Sequence, residues 1–323
     1  MIFVEQLAEM VLSGDRRSVA RAITMIENNN SKRFELLAGL RNNGSKAHII
    51  GLTGSPGAGK SSLVDQLTKE FREKGLTVGI IAVDPSSPFT GGAILGDRIR
   101  MQQHATDSGV FIRSMAARGS LGGLAHATYE TIQVLAASGK DRIIVETVGV
   151  GQSELDIMKV ADTTVVVLTP NAGDSIQTIK AGIMEIADVF AINKSDLPGA
   201  KRMASEVMAM LELNCSGVPW RPPVIETVTI NPTGIDELAE TIEKHRQFLM
   251  HSGKLNELRQ QRSVEQAVET AILIFREKLN KLAEEDSVVK DILIQTREGK
   301  TDSYDAAAKI TKYILGGKDS ENS

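Results

Sequence analysis

The chain has 323 residues, 41% of them hydrophobic and 24% charged, with a formal net charge of −4. That length suits two units, or one large domain with appendages, and the hydrophobic share is ordinary for a globular core. The acidic balance argues against a nucleic-acid or anionic-membrane surface, and the single cysteine, Cys215, cannot form an internal disulfide, which fits a reducing compartment.

The first residues, Met1-Ile2-Phe3-Val4-Glu5, carry no basic segment before an apolar stretch, so no signal peptide is expected. No apolar run approaches the length of a membrane span, and a cytoplasmic location is the expectation. Residues 1–45 are expected to form an N-terminal helical extension. Leu7, Met10 and Val11 would share one face, Val19, Ile23 and Ile26 a second, and Phe34, Leu37 and Leu40 a third. Asn42-Asn43-Gly44-Ser45 would end it, because these residues tolerate turns and left-handed backbone.

Between 46 and 250 apolar runs alternate with helical patterns. Strands are expected at 47–53, 77–83, 110–115, 142–147, 163–169, 188–193 and 223–229. Helices are expected at 60–74, 96–106, 121–138, 153–160, 175–186 and 199–212. Runs such as Ile143-Ile144-Val145 and Val165-Val166-Val167-Leu168 suit parallel strands buried on both faces. The fold class predicted is α/β, a doubly wound, mostly parallel sheet that binds ligands at the carboxyl ends of its strands.

The first strand runs into Gly54-Ser55-Pro56-Gly57-Ala58-Gly59-Lys60-Ser61-Ser62. The pattern G-x-x-x-x-G-K-S between a strand and a helix is that of a phosphate-binding loop. Its glycines let successive N–H groups converge on phosphate oxygens, and the new helix adds its positive end. Lys60 would reach the β/γ-phosphates and the Ser61 hydroxyl would coordinate Mg²⁺. The second strand ends at Asp84, in Asp84-Pro85-Ser86-Ser87-Pro88, with Asp97 downstream. Asp84 and Asp97 are candidates for Mg²⁺ or its water network, Asp84 the stronger, although either suits a turn or a helix cap. Glu146-Thr147-Val148-Gly149 ends the fourth strand. Glu146 would orient the attacking water or hold a magnesium-bound water, and the Gly149 N–H would bind a phosphate oxygen. A strand-end carboxylate capping the next helix is the bland alternative.

Asn193-Lys194-Ser195-Asp196 follows the sixth strand. The Asp196 carboxylate can accept the ring N1–H and exocyclic amine of guanine, whereas adenine would set a lone pair against it. Asn193 would help hold the loop and the base edge, and the Lys194 stem would cover the ring face. The five histidines, His48, His104, His126, His245 and His251, show no zinc-ligand spacing, and Trp220 in a proline-rich turn is read as packing or a partner contact. None of Arg98, Arg100, Arg113 and Arg118 is singled out as a catalytic arginine.

Residues 251–315 are charged and helical, with Val264, Val268, Ala271, Phe275, Leu279 and Leu282 on a repeat of three or four and Ser263 with Gln266 as a capping box. Packing on the core and a helix-pair dimer seam remain equally open from composition. Residues 316–323 form a polar tail, expected to be disordered.

Together the motifs resemble the SIMIBI class of GTPases, in the MeaB/ArgK/MMAA subgroup that chaperones adenosylcobalamin-dependent acyl-CoA mutases. The resemblance runs from about residue 45 to 250. It rests on residues 54–62, 83–88, 92–101, 146–154, 171–188, 193–196 and 234–238. It implies a homodimer with a C-terminal dimerisation region. It also implies GTP/GDP and Mg²⁺ as ligands, slow hydrolysis stimulated by a partner, and a methylmalonyl-CoA mutase type of client. The Asp84–Asp97 and Glu146–Glu154 segments would be switches. Asp174, Gln177 and Lys180 fall on a further switch that contacts the mutase. Near the guanine the usual Ser-Ala step is missing, so the contact to its O6 is left unassigned. Three rivals are weighed. A nickel metallochaperone would want a Cys/His cluster, a kinase or ATPase linked to amino-acid transport is opposed by Asp196, and a scaffold would bind nucleotide without turnover.

Overall fold

The computed structural model describes residues 2–41, 46–85, 104, 106–117, 123–147, 156–170, 184–214 and 217–315. The chain divides into two compact units, Met1–Arg262 and Ser263–Ser323.

The first unit is built on β1 (His48–Thr53), β2 (Val78–Pro85), β3 (Val110–Ala117), β4 (Arg142–Thr147), β5 (Thr163–Leu168), β6 (Val189–Asn193) and β7 (Val224–Thr227). These form one seven-stranded sheet in the order β3-β2-β4-β1-β5-β6-β7, and every pairing is parallel. The expected doubly wound α/β class is what forms. Successive side chains on a strand point to opposite faces, so a continuously apolar strand supplies two cores. Ile144, Val165 and Val167 join α4 (Lys60–Glu73) and α7 (Ile235–His251) in one core. Ile143, Val145 and Val166 join the other, with α1 (Ile2–Leu12), α2 (Arg16–Glu27), α3 (Arg33–Leu40), α5 (Gly123–Ala137) and α6 (Ala200–Asn214). From the central β1 the chain moves out to β2 and the edge strand β3. It returns at β4 and then crosses to β5, β6 and β7. The carboxyl end of β1 is therefore the point where strand order reverses, which is where open α/β sheets bind ligands.

The N-terminal helices differ from expectation in detail. Helix α1 buries Val4, Leu7, Ala8 and Val11, and Met10 is exposed because it lies well round the helix from that stripe. Helix α3 buries Arg33, Leu36 and Leu40 rather than Phe34. Arg33 is fully buried, lies 3.6 Å from Glu130 on α5, and lays its guanidinium 4.3 Å from the Phe34 ring centroid. Ile157–Lys159 is a single 3-10 turn, and Met184–Ile186 a single helical turn. The expected helix at 96–106 falls almost wholly outside the described residues, as do most of 175–186 and the start of 153–160.

In the C-terminal part α8 runs unbroken over Lys254–Glu285, so Ser263 lies inside it and forms no capping box with Gln266. Helix α9 (Ser287–Arg297) does have a cap: Asp286 accepts hydrogen bonds from the N–H groups of Val288 and Val289 at 2.9 and 3.1 Å. Helix α10 (Ser303–Leu315) completes the unit. The tail 316–323 lies outside the described residues. Among the described residues no helix is long and apolar enough to cross a membrane.

Candidate functional site: a nucleotide-binding crevice

The phosphate-binding loop links β1 to α4 at the reversal point. Two of its glycines are dictated by their neighbours. Gly54 has φ +143°, and a Cβ there would stand 2.1 Å from the Val167 carbonyl oxygen of β5. Gly59 has φ +86°, and a Cβ there would stand 2.4 Å from Asn193 Nδ2. Both conformations are costly for any residue with a side chain. Gly59 is also the N-cap of α4, and no side chain caps that helix. Its first N–H groups, with the positive end of the helix dipole, point where an anion would be favoured.

The Lys60 side chain is buried and folds back along the loop, donating to the carbonyls of Gly54 at 2.6 Å and Ser55 at 3.0 Å. Ala58 N–H donates to Ser55 O at 3.1 Å and closes the turn. Ser61, on the first turn of α4, donates its hydroxyl hydrogen to Glu146 Oε1 at 2.6 Å. Glu146 is buried near the carboxyl end of β4, in register with Leu52 of β1 and Ala82 of β2. The structure thus joins two motifs that stand 85 residues apart. Next to them Thr147 Oγ1 lies 3.3 Å from Thr53 Oγ1, tying the ends of β4 and β1 together. This pair carried no signal in the sequence.

The Asn193-Lys194-Ser195-Asp196 motif leaves β6 on the other side of the loop. Asn193 is fully buried; its amide donates to Ala58 O at 2.8 Å, and its Oδ1 accepts from the Thr227 hydroxyl at 3.3 Å. Lys194 has φ +59° and donates to Gly57 O at 2.9 Å. Ser195 N–H donates to Thr227 O at 3.1 Å, and Asp196 is exposed. Beyond β7 the next loop is closed by reciprocal hydrogen bonds between the backbones of Val228 and Thr233. Thr227, inside the strand candidate 223–229, is a site residue that sequence reasoning left without a role of its own.

Pro56 and Gly57 are exposed, and Ser62 is half-buried on α4. Asp84 is the last residue but one of β2, in register with Ala116, and its side chain lies outside the description. Asp97, Gly149, Asp174, Gln177 and Lys180 lie outside the described residues. Trp220 packs against His245 and Phe248, with ring centroids 4.6 and 5.4 Å away.

The arrangement offers backbone N–H groups and an ammonium group for phosphates, a hydroxyl–carboxylate pair, and an exposed carboxylate beside a braced loop. Comparison with known proteins agrees with that chemistry. The profile of the family described as "Methylmalonyl Co-A mutase-associated GTPase MeaB" matches residues 19–286. A Pyrococcus abyssi protein with a provisional GTPase name is 50% identical over 317 residues, covering 97% of this chain and 98% of that protein. A mouse protein named methylmalonic aciduria type A homolog, mitochondrial, is 36% identical over 276 residues, covering 80% of this chain and 66% of that one. The crystal structure of a protein titled LAO/AO transport system kinase superposes with a TM-score of 0.69 at 26% identity, covering 98% of each chain.

Proposed function

The chain belongs to the MeaB family of mutase-associated GTPases, and we propose that it uses GTP to gate cofactor loading, and to protect or reactivate, an adenosylcobalamin-dependent acyl-CoA mutase of the methylmalonyl-CoA mutase type. Guanine-nucleotide binding and GTP hydrolysis follow from the family. The client, the coupling and the residue roles are our reading.

In this reading the N–H groups of Gly54–Ser61 and the start of α4 hold the phosphates. Lys60 exchanges its carbonyl partners for β/γ-phosphate oxygens. Asp196 reads the guanine edge, the Lys194 stem covers the base, and Asn193 keeps their loop in register with the phosphate loop. Guanine O6 is left to backbone N–H groups of the loop after β7, where Val228 N–H is already engaged. The Ser61 hydroxyl and the Glu146 carboxylate are adjacent oxygen donors, a donor set that fits Mg²⁺, with Asp84 and Asp97 as further candidates. Magnesium, when bound, neutralises charge on the β- and γ-phosphates. Glu146 then orients water, and the segment after it, with Gly149, reports the γ-phosphate. Asp174, Gln177 and Lys180 would meet the mutase, and the exposed apolar residues of α8 would support a homodimer.

The observation that carries the switch reading is the Ser61–Glu146 hydrogen bond. It places the residue that would hold the metal in direct contact with the segment that would signal. Single-turnover GTP hydrolysis with and without the acyl-CoA mutase of the same organism tests the function. The expected result is faster hydrolysis with the mutase and a complex whose stability differs between GTP and GDP. Equal rates and no nucleotide-dependent complex would overturn the chaperone reading and leave a free-standing GTPase.

A further inference from the structure

At the opposite, amino-terminal end of the sheet lies a buried polar cluster that nucleotide chemistry does not use. His48 Nε2 and His245 Nδ1 each lie 2.8 Å from the same oxygen, Thr163 Oγ1. His48 Nδ1 lies 3.7 Å from Asp162 Oδ2, and His245 Nε2 lies 3.4 Å from Asp188 Oδ1. The five groups form one line across the starts of β1 and β5, the residue before β6, and α7. We propose that Asp188–His245–Thr163–His48–Asp162 is a proton-linked chain in which protonation of Asp188 sets the tautomer of both histidines.

Burial pushes the His48 pKa down to about 3 and the His245 pKa down to about 4, so both rings are neutral near pH 7. A neutral imidazole has one N–H and one lone pair, and a hydroxyl has one hydrogen to donate. Thr163 therefore donates to one ring and accepts from the other. If it donates to His48, then His48 Nδ1–H faces the Asp162 carboxylate and His245 turns a lone pair toward Asp188. That arrangement favours a proton on Asp188, whose Oδ1 lies 3.4 Å from the ring nitrogen. If it donates to His245, then His245 Nε2–H faces an ionised Asp188 and His48 turns its lone pair toward Asp162. That second arrangement sets a lone pair against a carboxylate. It is tolerable because Arg259 and Arg262 hold Asp162, with contacts of 2.6 and 3.2 Å.

The surroundings of Asp188 favour a proton there. Burial pushes its pKa up to about 7, and the Asp162 charge adds to this. The Thr164 N–H of β5, at 2.7 Å, and Arg262 of α8 pull it down. About a third of the side chain remains exposed, so water tempers the shift without reversing it. Trp220 Nε1–H is spent on the Asp188 carbonyl at 2.8 Å. At the other end, Arg142 and Arg246 also bear on His48 and disfavour its cationic form. Asp162 and Asp188 are also the points at which the chain re-enters the sheet after residues 148–155, which follow Glu146, and after 171–183. The two hydrogen bonds through Thr163, with the charge contacts of 3.7 and 3.4 Å to Asp162 and Asp188 at either end, thus join the starts of β1 and β5 to the residue before β6, and the cluster stands independently of any mutase.

Long-range ¹⁵N–¹H NMR of the imidazole nitrogens in the full chain tests this, from about pH 5 to about pH 8. Nε2 of His245 is expected to move from the lone-pair range to the N–H range as Asp188 ionises. His48 is expected to move its hydrogen from Nδ1 to Nε2 in the same transition, with neither ring becoming cationic. Asp188→Asn, whose amide donates as the acid does, should hold both rings in their low-pH tautomers throughout. Thr163→Val should disconnect His48 from the transition. Stability gives a second reading. The raised pKa makes the Asp188 contribution full below the ordinary carboxylate value of 3.8 and lost as pH rises through about 7. Asp188→Asn should therefore gain in urea midpoint over the wild type as pH rises through that window. Unchanging tautomers in the wild type, or an Asp188→Asn variant that titrates like it, would overturn the proposal.

Discussion

Asn193 shows what a motif residue does for the loops around it. The four-residue pattern marked it to hold the loop and the base edge, and its buried amide does span from the base-reading loop to Ala58 O in the phosphate loop. Asn193→Ala would leave Ala58 O and the Thr227 hydroxyl short of a partner in a dry place. The expected cost is about 1–3 kcal/mol of stability. GTP affinity should fall by roughly tenfold, equivalent to ~1.4 kcal/mol, because the two loops lose their register. Urea denaturation and calorimetric titration measure both. Lys194→Ala removes only an exposed bond to Gly57 O and should leave stability unchanged. Equal effects of the two variants would remove the bracing role. Local spacing identified these residues because each motif is contiguous. It was silent on Thr227, on the Arg33–Glu130 pair and on the chain through Thr163. There the partners lie tens of residues or more apart, and no short pattern links them.

Elements were legible in proportion to how fully they are buried. The central strands could be read because a parallel strand with both faces covered needs a run of apolar, β-branched residues, and the edge strands β3 and β7 were read although Arg113 and Glu226 interrupt their apolar runs. The faces of α1 and α3 were partly misread, because in a short helix one residue of error turns the stripe by a large angle. The long α8 hid its own start, since a Ser three residues before a Gln matches a capping box wherever it falls. The cap that does form, at Asp286, also accepts from the Tyr313 hydroxyl at 3.0 Å, joining α9 to α10. Asp286→Ala should cost about 1 kcal/mol in the second unit. That corresponds to roughly fivefold faster amide exchange in α9 under native conditions. Tyr313→Phe keeps the cap and loses only the tie to α10, so it should raise exchange less. If Asp286→Ala leaves α9 exchange unchanged, the cap carries no stability.

At the scale of the whole molecule, the second unit has an outward apolar stripe that a solitary helix has no reason to keep. Val264, Val268, Ile272 and Phe275 of α8 are exposed by 67%, 57%, 54% and 39% and recur every three or four residues. Glu265 and Glu269 lie between the first of them, while Leu273 and Ile274 widen the stripe further along, the pattern of a helix that covers itself with another apolar surface. The proposed homodimer supplies such a surface in a second copy of the chain. Its interface would be self-complementary, so a charge placed in it meets its own image. Replacing Val268 and Ile272 together with glutamate should therefore convert the dimer to a monomer, read by sedimentation equilibrium across a range of protein concentrations. These residues lie far in sequence from the nucleotide motifs, so single-turnover GTP hydrolysis without partner should be unchanged. A wild-type chain that remains monomeric at every concentration would remove the homodimer from the proposed function. A charged variant that still dimerises would move the interface to another surface.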